Sequence, residues 1–233
     1  MPRRKRIYLP GFPYHLVQRG NNRQRCFSER VDFENYLDLW REKSHRYGVQ
    51  VHAYCLMPNH IHFIVSTEQA DAISNTMKVV GSRYAFHFNK RYQRSGTVWE
   101  GRHRSSLIDS ERYLLTCLRY VELNPVRAGM TAFPDTYEWS SYALNAAPRR
   151  SWLTPHPVYL ALGSDPEERA SAYRGLFDIL IAEDEIDLIR QAAHYSVPIS
   201  DDRYRREIEL KFSLPTNYSK RGRPTKNSIA VTD

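Results

Sequence analysis

Residues 49–66 read VQVHAYCLMPNHIHFIVS, two apolar runs that meet at Pro58-Asn59. VQVHAYCLM (49–57) and HIHFIVS (60–66) are rich in Val, Ile, Tyr and Phe, and a tight turn between runs of that length predicts a β-hairpin. Side chains of a strand alternate between its faces, so His60 and His62 share one face while Ile61 and Phe63 take the other. Two imidazoles on one face can grip a divalent cation, but most metals want a third protein ligand. By itself the pair is weak evidence for a metal, and two hydrogen-bonded or surface histidines are the commoner reading of so short a motif.

Upstream of the hairpin, FPYHLVQRG (12–20) alternates as a strand and the polar NNRQR that follows reads as a loop. From Glu29 to Tyr47, the residues Phe33, Tyr36, Leu37, Trp40 and Tyr47 fall on one helical face, and Gly48 stops the helix. Downstream, Ile73, Met77, Val80, Tyr84 and Phe88 mark a second amphipathic helix, and GTVWEGRHRSSLI (96–108) reads as a fourth strand. A third helix is capped by Asp109 or Ser110. It turns Tyr113, Leu114, Cys117, Leu118 and Val121 inward and ends before Pro125, because the residue preceding a proline is pushed out of the helical region.

The resulting order is strand, helix, strand, strand, helix, strand, helix. It predicts an α+β protein: a ferredoxin-like antiparallel sheet with helices on one face, plus one extra helix. Sheets of this kind serve RNA-binding modules, small-ligand domains and nucleases alike, so the fold leaves the chemistry open. Beyond Ala146 the composition changes. Residues 1–146 form the expected main domain, 147–215 a Pro-rich linker with a helical C-terminal extension, and 216–233 a basic tail expected to be disordered. Within the extension, Asp165 caps a helix with Pro166 in its first turn, and further helical patterns run near 183–195 and 201–212.

With 233 residues, 41% of them hydrophobic, the chain can bury a core. No apolar run approaches the length of a membrane span, and the basic start MPRRKRIYLP lacks the apolar centre of a secretory leader, so no membrane partner and a cytoplasmic, nucleoid-associated protein are expected. Cys26, Cys55 and Cys117 are odd in number and lack paired spacing, which argues against a disulfide framework or a cysteine metal site.

A net charge of +8 favours a polyanionic partner. Arg3, Arg4, Lys5 and Arg6 open the chain; Lys90, Arg91, Arg94, Arg102 and Arg104 cluster in the middle; Arg221 and Arg223 lie in an RGRP segment of the type that enters a narrow minor groove. Tyr84, Phe86, Phe88, Tyr92 and Trp99, interleaved with the middle cluster, are candidates for stacking on unpaired bases.

The third helix ends in LRYVELNPVRAGM (118–130), where Tyr120 and Asn124 lie four apart on one helical face. Tyr120 sits about a quarter-turn from the centre of the apolar stripe, so it need not belong to the core. Taken alone it reads as a boundary tyrosine, with Asn124 terminating the helix.

MPNHIHFIV (57–65) followed some sixty residues later by RYVELNPVRAG (119–129) resembles the single-tyrosine HUH transposases, IS200-like proteins in which U is a hydrophobic residue. Within them it is similar to the REP-associated tyrosine transposases, and PYHLVQRGNNRQRCF (13–27) and GTVWEGRHRSSLI look alike as well, so the resemblance spans residues 8–142. It implies that His60 and His62 bind a divalent metal, Mg²⁺ or Mn²⁺, with Asn124 as third ligand. It implies Tyr120 as the nucleophile of a single-stranded DNA endonuclease and strand transferase acting on REP-like palindromic hairpins through a 5′-phosphotyrosine. A monomer and a homodimer, with the tyrosine acting in its own or its partner's site, are both compatible with it.

Two other classes compete with this reading. Histidine-triad nucleotide hydrolases need a third histidine at position 64, which is Ile64, and no pair of separated His-x-Thr/Ser motifs is present for a two-histidine phosphoesterase. A non-catalytic DNA-hairpin or RNA-binding regulator on the same sheet is the other reading; formation of a covalent protein–DNA adduct separates it from the enzyme.

Overall fold

A computed structural model describes residues 8–212. Its sheet contains β1 (Tyr14–Arg19), β2 (Val49–Met57), β3 (His60–Thr67) and β4 (Arg104–Leu107), all antiparallel, in the order β2-β3-β1-β4. That is the ferredoxin-like order. The expected hairpin is β2–β3, turning at Pro58-Asn59, with Met57 opposite His60.

Helices α1 (Arg30–Tyr47) and α2 (Ala72–Arg91) cover one face of the sheet. Their start and stop follow from the local sequence. Glu29 caps α1 in a reciprocal capping box with Asp32, and Gly48 ends it in the left-handed conformation at φ 68°, which costs glycine little. Trp40 stacks on Phe63 of β3 with ring centroids 4.0 Å apart, and Tyr36, Tyr84 and Trp99 close the same aromatic core. Trp40 is fully buried, so Trp40→Ala is expected to cost about 3–5 kcal/mol, read as a lowered urea midpoint, through lost burial and the cavity left behind.

The extra helix, α3 (Ser110–Glu122), takes the opposite face. Leu114, Cys117, Leu118 and Val121 pack there on Ala53, Cys55, Met57 and Ile64. Pro125 ends α3 as its chemistry requires, but it also opens a further turn, α4 (Asn124–Arg127), where a proline in the first turn sacrifices no hydrogen bond.

The fourth strand is shorter than the 96–108 run expected. Only Arg104–Leu107 joins the ladder, because Trp99 is drawn under α2, where its indole Nε1 donates to Gly81 O at 3.1 Å. A single bridge, Gly20 to Trp99, is what remains of pairing upstream. Gly20 has no room for a side chain: a Cβ there would sit 2.2 Å from Gln24 O.

Past β4 the chain adds α5 (Tyr142–Asn145), α6 (Pro157–Leu160), α7 (Pro166–Gly175), α8 (Glu183–Tyr195) and α9 (Asp202–Phe212). The Asp165 cap is in place, its carboxylate accepting from Glu168 N at 2.9 Å. This segment is packed against the sheet rather than hanging from it. Leu153 and Ile208 enter the α1–α2 core, while Tyr173, Ile186, Ile189 and Ile199 enter the α3 core. It also covers strand edges that would otherwise present unpaired backbone. Trp139 O and Thr154 N bond to Leu56 N and Val51 O of β2, and Ile199 N donates to Leu107 O of β4. His52, at the β-bulge of β2, ties the Pro-rich stretch down through Nδ1 to Thr154 O at 2.7 Å.

No helix among the described residues is long and apolar enough to cross a membrane.

Candidate active site

His60 pairs with Arg19 and His62 with Val17 across β3 and β1, and their side chains face α3 rather than α1 and α2. Tyr120, in the last turn of α3, meets them. Its ring centroid lies 6.1 Å from that of His62, edge on, and the rings of His60 and His62 are 5.0 Å apart. The tyrosine therefore reaches the histidine face within one chain. It is also 93% buried, at 7% exposure, unlike the off-core position its place on the helical stripe suggests. The reason is tertiary: the turn after α3 brings Arg127 back over the ring, 4.0 Å from its centroid.

A third imidazole completes the cluster. His15 of β1 stacks beside His62 at 5.1 Å, lies 6.0 Å from the Tyr120 ring, and shares a 2.8 Å hydrogen bond between its Nε2 and His62 Nδ1. Sequence reasoning passed over it, although its signal was present in PYHLVQRG: the strand alternation that placed His60 and His62 places His15 as well.

These imidazoles are neutral near pH 7. Burial lowers His15 to about 3 and His60 to about 4, the latter helped by the Arg19 charge. Burial holds His62 well below the usual histidine range, reinforced by the neighbouring histidines and by Arg127 and Arg19. Neutral imidazole is the form that ligates a metal. Asn59 Oδ1 lies 2.6 Å from His60 Nδ1; a carbonyl oxygen can only accept, so Nδ1 carries the proton and Nε2 of His60 keeps its lone pair.

Asn124 lies one turn past Tyr120, at the start of α4. Its Nδ2 donates to Tyr120 O at 3.0 Å and Val121 O at 3.1 Å, capping α3. The amide group is thereby oriented, and Oδ1 is the atom with ligating ability. Among the described residues no three His, Cys, Asp or Glu side chains are grouped to hold a metal. Neutral imidazole nitrogens and an amide oxygen are donor types that a divalent cation accepts.

Arg127 is the second residue that sequence reasoning missed. Its Nη2 donates to Tyr120 O at 2.7 Å, and its Nη1 is buried without a partner. A desolvated guanidinium on an aromatic face contributes up to about 2 kcal/mol. It holds the ring and leaves positive charge beside it.

Glu122 anchors the same helix from behind. Fully buried, it accepts from Ser141 Oγ, from Asn145 Nδ2 at 2.9 Å and from Tyr173 Oη of α7 at 2.8 Å, so the extension holds the end of α3. Burial raises its carboxyl to about 7 from 4.5, against the lowering effect of those donors. The raised value favours the protonated form in the folded state. Its contribution to stability is full below pH 4.5 and lost as pH rises through 7, up to about 3 kcal/mol. The buried histidines work in the opposite sense, losing stability as pH falls below their unfolded value. Glu122→Gln should isolate the first effect: its stability relative to the wild type, by urea unfolding, rises between pH 5 and pH 8.

Several basic candidates have protein partners. Arg91 pairs with Glu29 at 2.5 Å, Arg104 donates to His194 O, and Arg94 reaches Gln24 Oε1 at 3.4 Å over the Phe88 ring. Lys90 and Arg102 are exposed. Arg3, Arg4, Lys5, Arg6, Arg221 and Arg223 lie outside the described residues. The aromatic candidates divide sharply: Tyr84, Phe88 and Trp99 are core residues, Tyr92 is half-buried with its hydroxyl on Asp32 Oδ2 at 2.8 Å, and Phe86 is exposed. Helical periodicity cannot tell a stacking platform from a core, and here the core took Tyr84 and Phe88.

A 4-1-3-2 antiparallel sheet, two histidines on an inner strand and a tyrosine facing them from the helix behind define the HUH class of α+β fold. A solved structure described as a REP-associated tyrosine transposase bound to a REP hairpin superposes with a TM-score of 0.53 at 16% identity, over 68% of this chain and 93% of that one. The family described as "Transposase IS200 like" matches residues 9–124, from ahead of β1 through Asn124, and the chain belongs to that family. Membership makes it a DNA-processing transposase. It is also 22% identical over 123 residues, 48% of this chain and 70% of the relative, to a Haemophilus influenzae protein named "Putative REP-associated tyrosine transposase".

Proposed function

We propose that this protein cuts and rejoins single-stranded DNA at palindromic hairpins, with Tyr120 as nucleophile and a divalent metal, Mg²⁺ or Mn²⁺, held by His60, His62 and Asn124. The observation that carries the reading is the placement of the Tyr120 ring 6.1 Å from His62 in the same chain. The hairpin substrate is taken from the structural neighbour, whose description names a REP hairpin.

In this reading the Tyr120 oxygen attacks the scissile phosphorus and the bond to O3′ breaks. The enzyme keeps the 5′-phosphate as a phosphotyrosine; the phenol gives up its proton and the released O3′ gains one. Attack by a 3′-hydroxyl reverses the step and joins strands. The metal, when bound, polarises the phosphate and offsets charge on the departing oxygen. Arg127 holds the ring and sets a cation beside the phosphate's approach, while burial excludes the water that would hydrolyse the intermediate. Because one chain supplies both tyrosine and histidines, a monomer can complete the site. Lys90 and Arg102, with the basic ends of the chain, track flanking phosphates, and a cytoplasmic, nucleoid-associated location follows from such a substrate.

The test is to incubate the protein with 5′- or 3′-labelled hairpin DNA and Mn²⁺, denature, and look for label that migrates with protein. Label on the fragment 3′ of the cut should be retained. The 7% exposure of Tyr120 favours one rival, a hairpin-binding regulator that does not cut. Hairpin binding without any adduct would select that reading.

A further inference from the structure

We propose that His15 is a positioning residue for the metal site: it accepts a hydrogen bond from Nδ1 of His62 and so holds His62 in the one tautomer whose Nε2 can ligate. The inference rests on the metal-site reading above and concerns a residue outside that site's assigned ligands.

The argument is one of counting protons. His15 Nε2 and His62 Nδ1 are 2.8 Å apart and both rings are buried, His15 at 1% exposure and His62 at 5%. With both rings neutral, one proton lies between the two nitrogens, and there are two ways to place it. If it belongs to His15 Nε2, then His62 Nδ1 accepts, His62 carries its own proton on Nε2, and the nitrogen needed for a metal is blocked. If it belongs to His62 Nδ1, then His62 Nε2 has its lone pair, as Nε2 of His60 already does through Asn59. Only the second placement gives two ligating nitrogens from the His-x-His pair.

The second placement has a cost that the structure displays. His15 must then carry its proton on Nδ1, and that atom is buried without a hydrogen-bond partner. An orphaned buried donor is destabilising, and a leucine at this position would avoid it. A purely structural position would favour the apolar residue. An acceptor behind a ligating imidazole is the common means of fixing its tautomer and orientation, and its loss typically weakens metal affinity by about 10–100-fold.

The experiment measures Mn²⁺ binding to the full-length protein without DNA, by the loss of the free-ion electron paramagnetic resonance signal, for the wild type, His15→Leu and His15→Gln. Gln places an oxygen acceptor near the position of the imidazole Nε2. His15→Leu is expected to bind Mn²⁺ about 10–100-fold more weakly, with His15→Gln restoring affinity to within about threefold. Equal affinity in the wild type and His15→Leu would overturn the proposal, as would a folded Gln variant as weak as the Leu variant. A wild type that binds no Mn²⁺ would instead defeat the metal-site reading itself. Should the Leu variant fail to fold, long-range ¹H–¹⁵N NMR of the histidine rings in the metal-free wild type decides. The Nδ1-protonated form of His62 supports the proposal, and the Nε2-protonated form overturns it.

Discussion

Tyr120→Phe is expected to abolish the covalent adduct and strand cleavage, by at least about a thousand-fold, while hairpin affinity stays within about twofold of the wild type. The substitution removes one oxygen. The contacts that position the residue are made by its ring, with Arg127, His15 and His62, and by its backbone carbonyl, which accepts from Asn124 and Arg127. Phenylalanine keeps all of them, so fold and DNA surface should be intact. Gel separation of denatured reaction products and fluorescence anisotropy with the uncut hairpin read the two quantities separately. A Phe variant that still nicks at more than a few per cent of the wild-type rate would move the nucleophile elsewhere.

The second large effect is on the metal. His60→Ala and His62→Ala should each reduce cleavage by more than about a hundred-fold, or about 3 kcal/mol of transition-state stabilisation, and each should weaken Mn²⁺ binding measurably. The two variants should differ in stability. His60 is partly exposed and its Nδ1 bonds only to the adjacent Asn59, so its loss should barely affect unfolding. His62 is buried against His15, and its removal strands a ring nitrogen, a cost of about 1–3 kcal/mol. Undiminished cleavage by either variant in the presence of a chelator would end the case for a catalytic metal.

Legibility in the sequence followed interaction range. The β2–β3 hairpin, the limits of α1 and the Asp165 cap of α7 were readable because each depends on residues within about four positions: a two-residue turn, a capping box, a glycine stop. β4 was over-extended because its upstream half is claimed by Trp99, whose partner Gly81 is eighteen residues away in α2. Tyr84 reads as a stacking aromatic for a related reason: its partners are Cys26, Phe27 and Tyr36, on another helix and the loop before it.

At the site the same division holds. Strand alternation and four-residue helical spacing, both local, determined that His60 and His62 share a face and that Tyr120 and Asn124 share another. Whether the two faces meet depended on α3 packing against the sheet side opposite α1 and α2, a choice made by the fit of whole apolar surfaces. The same packing brought His15 against His62, folded Arg127 over the Tyr120 ring and engaged Glu122 with Tyr173 fifty-one residues later. Contacts of that separation leave no periodic trace in a chain, because nothing in the backbone's local geometry connects them; only the closed core does.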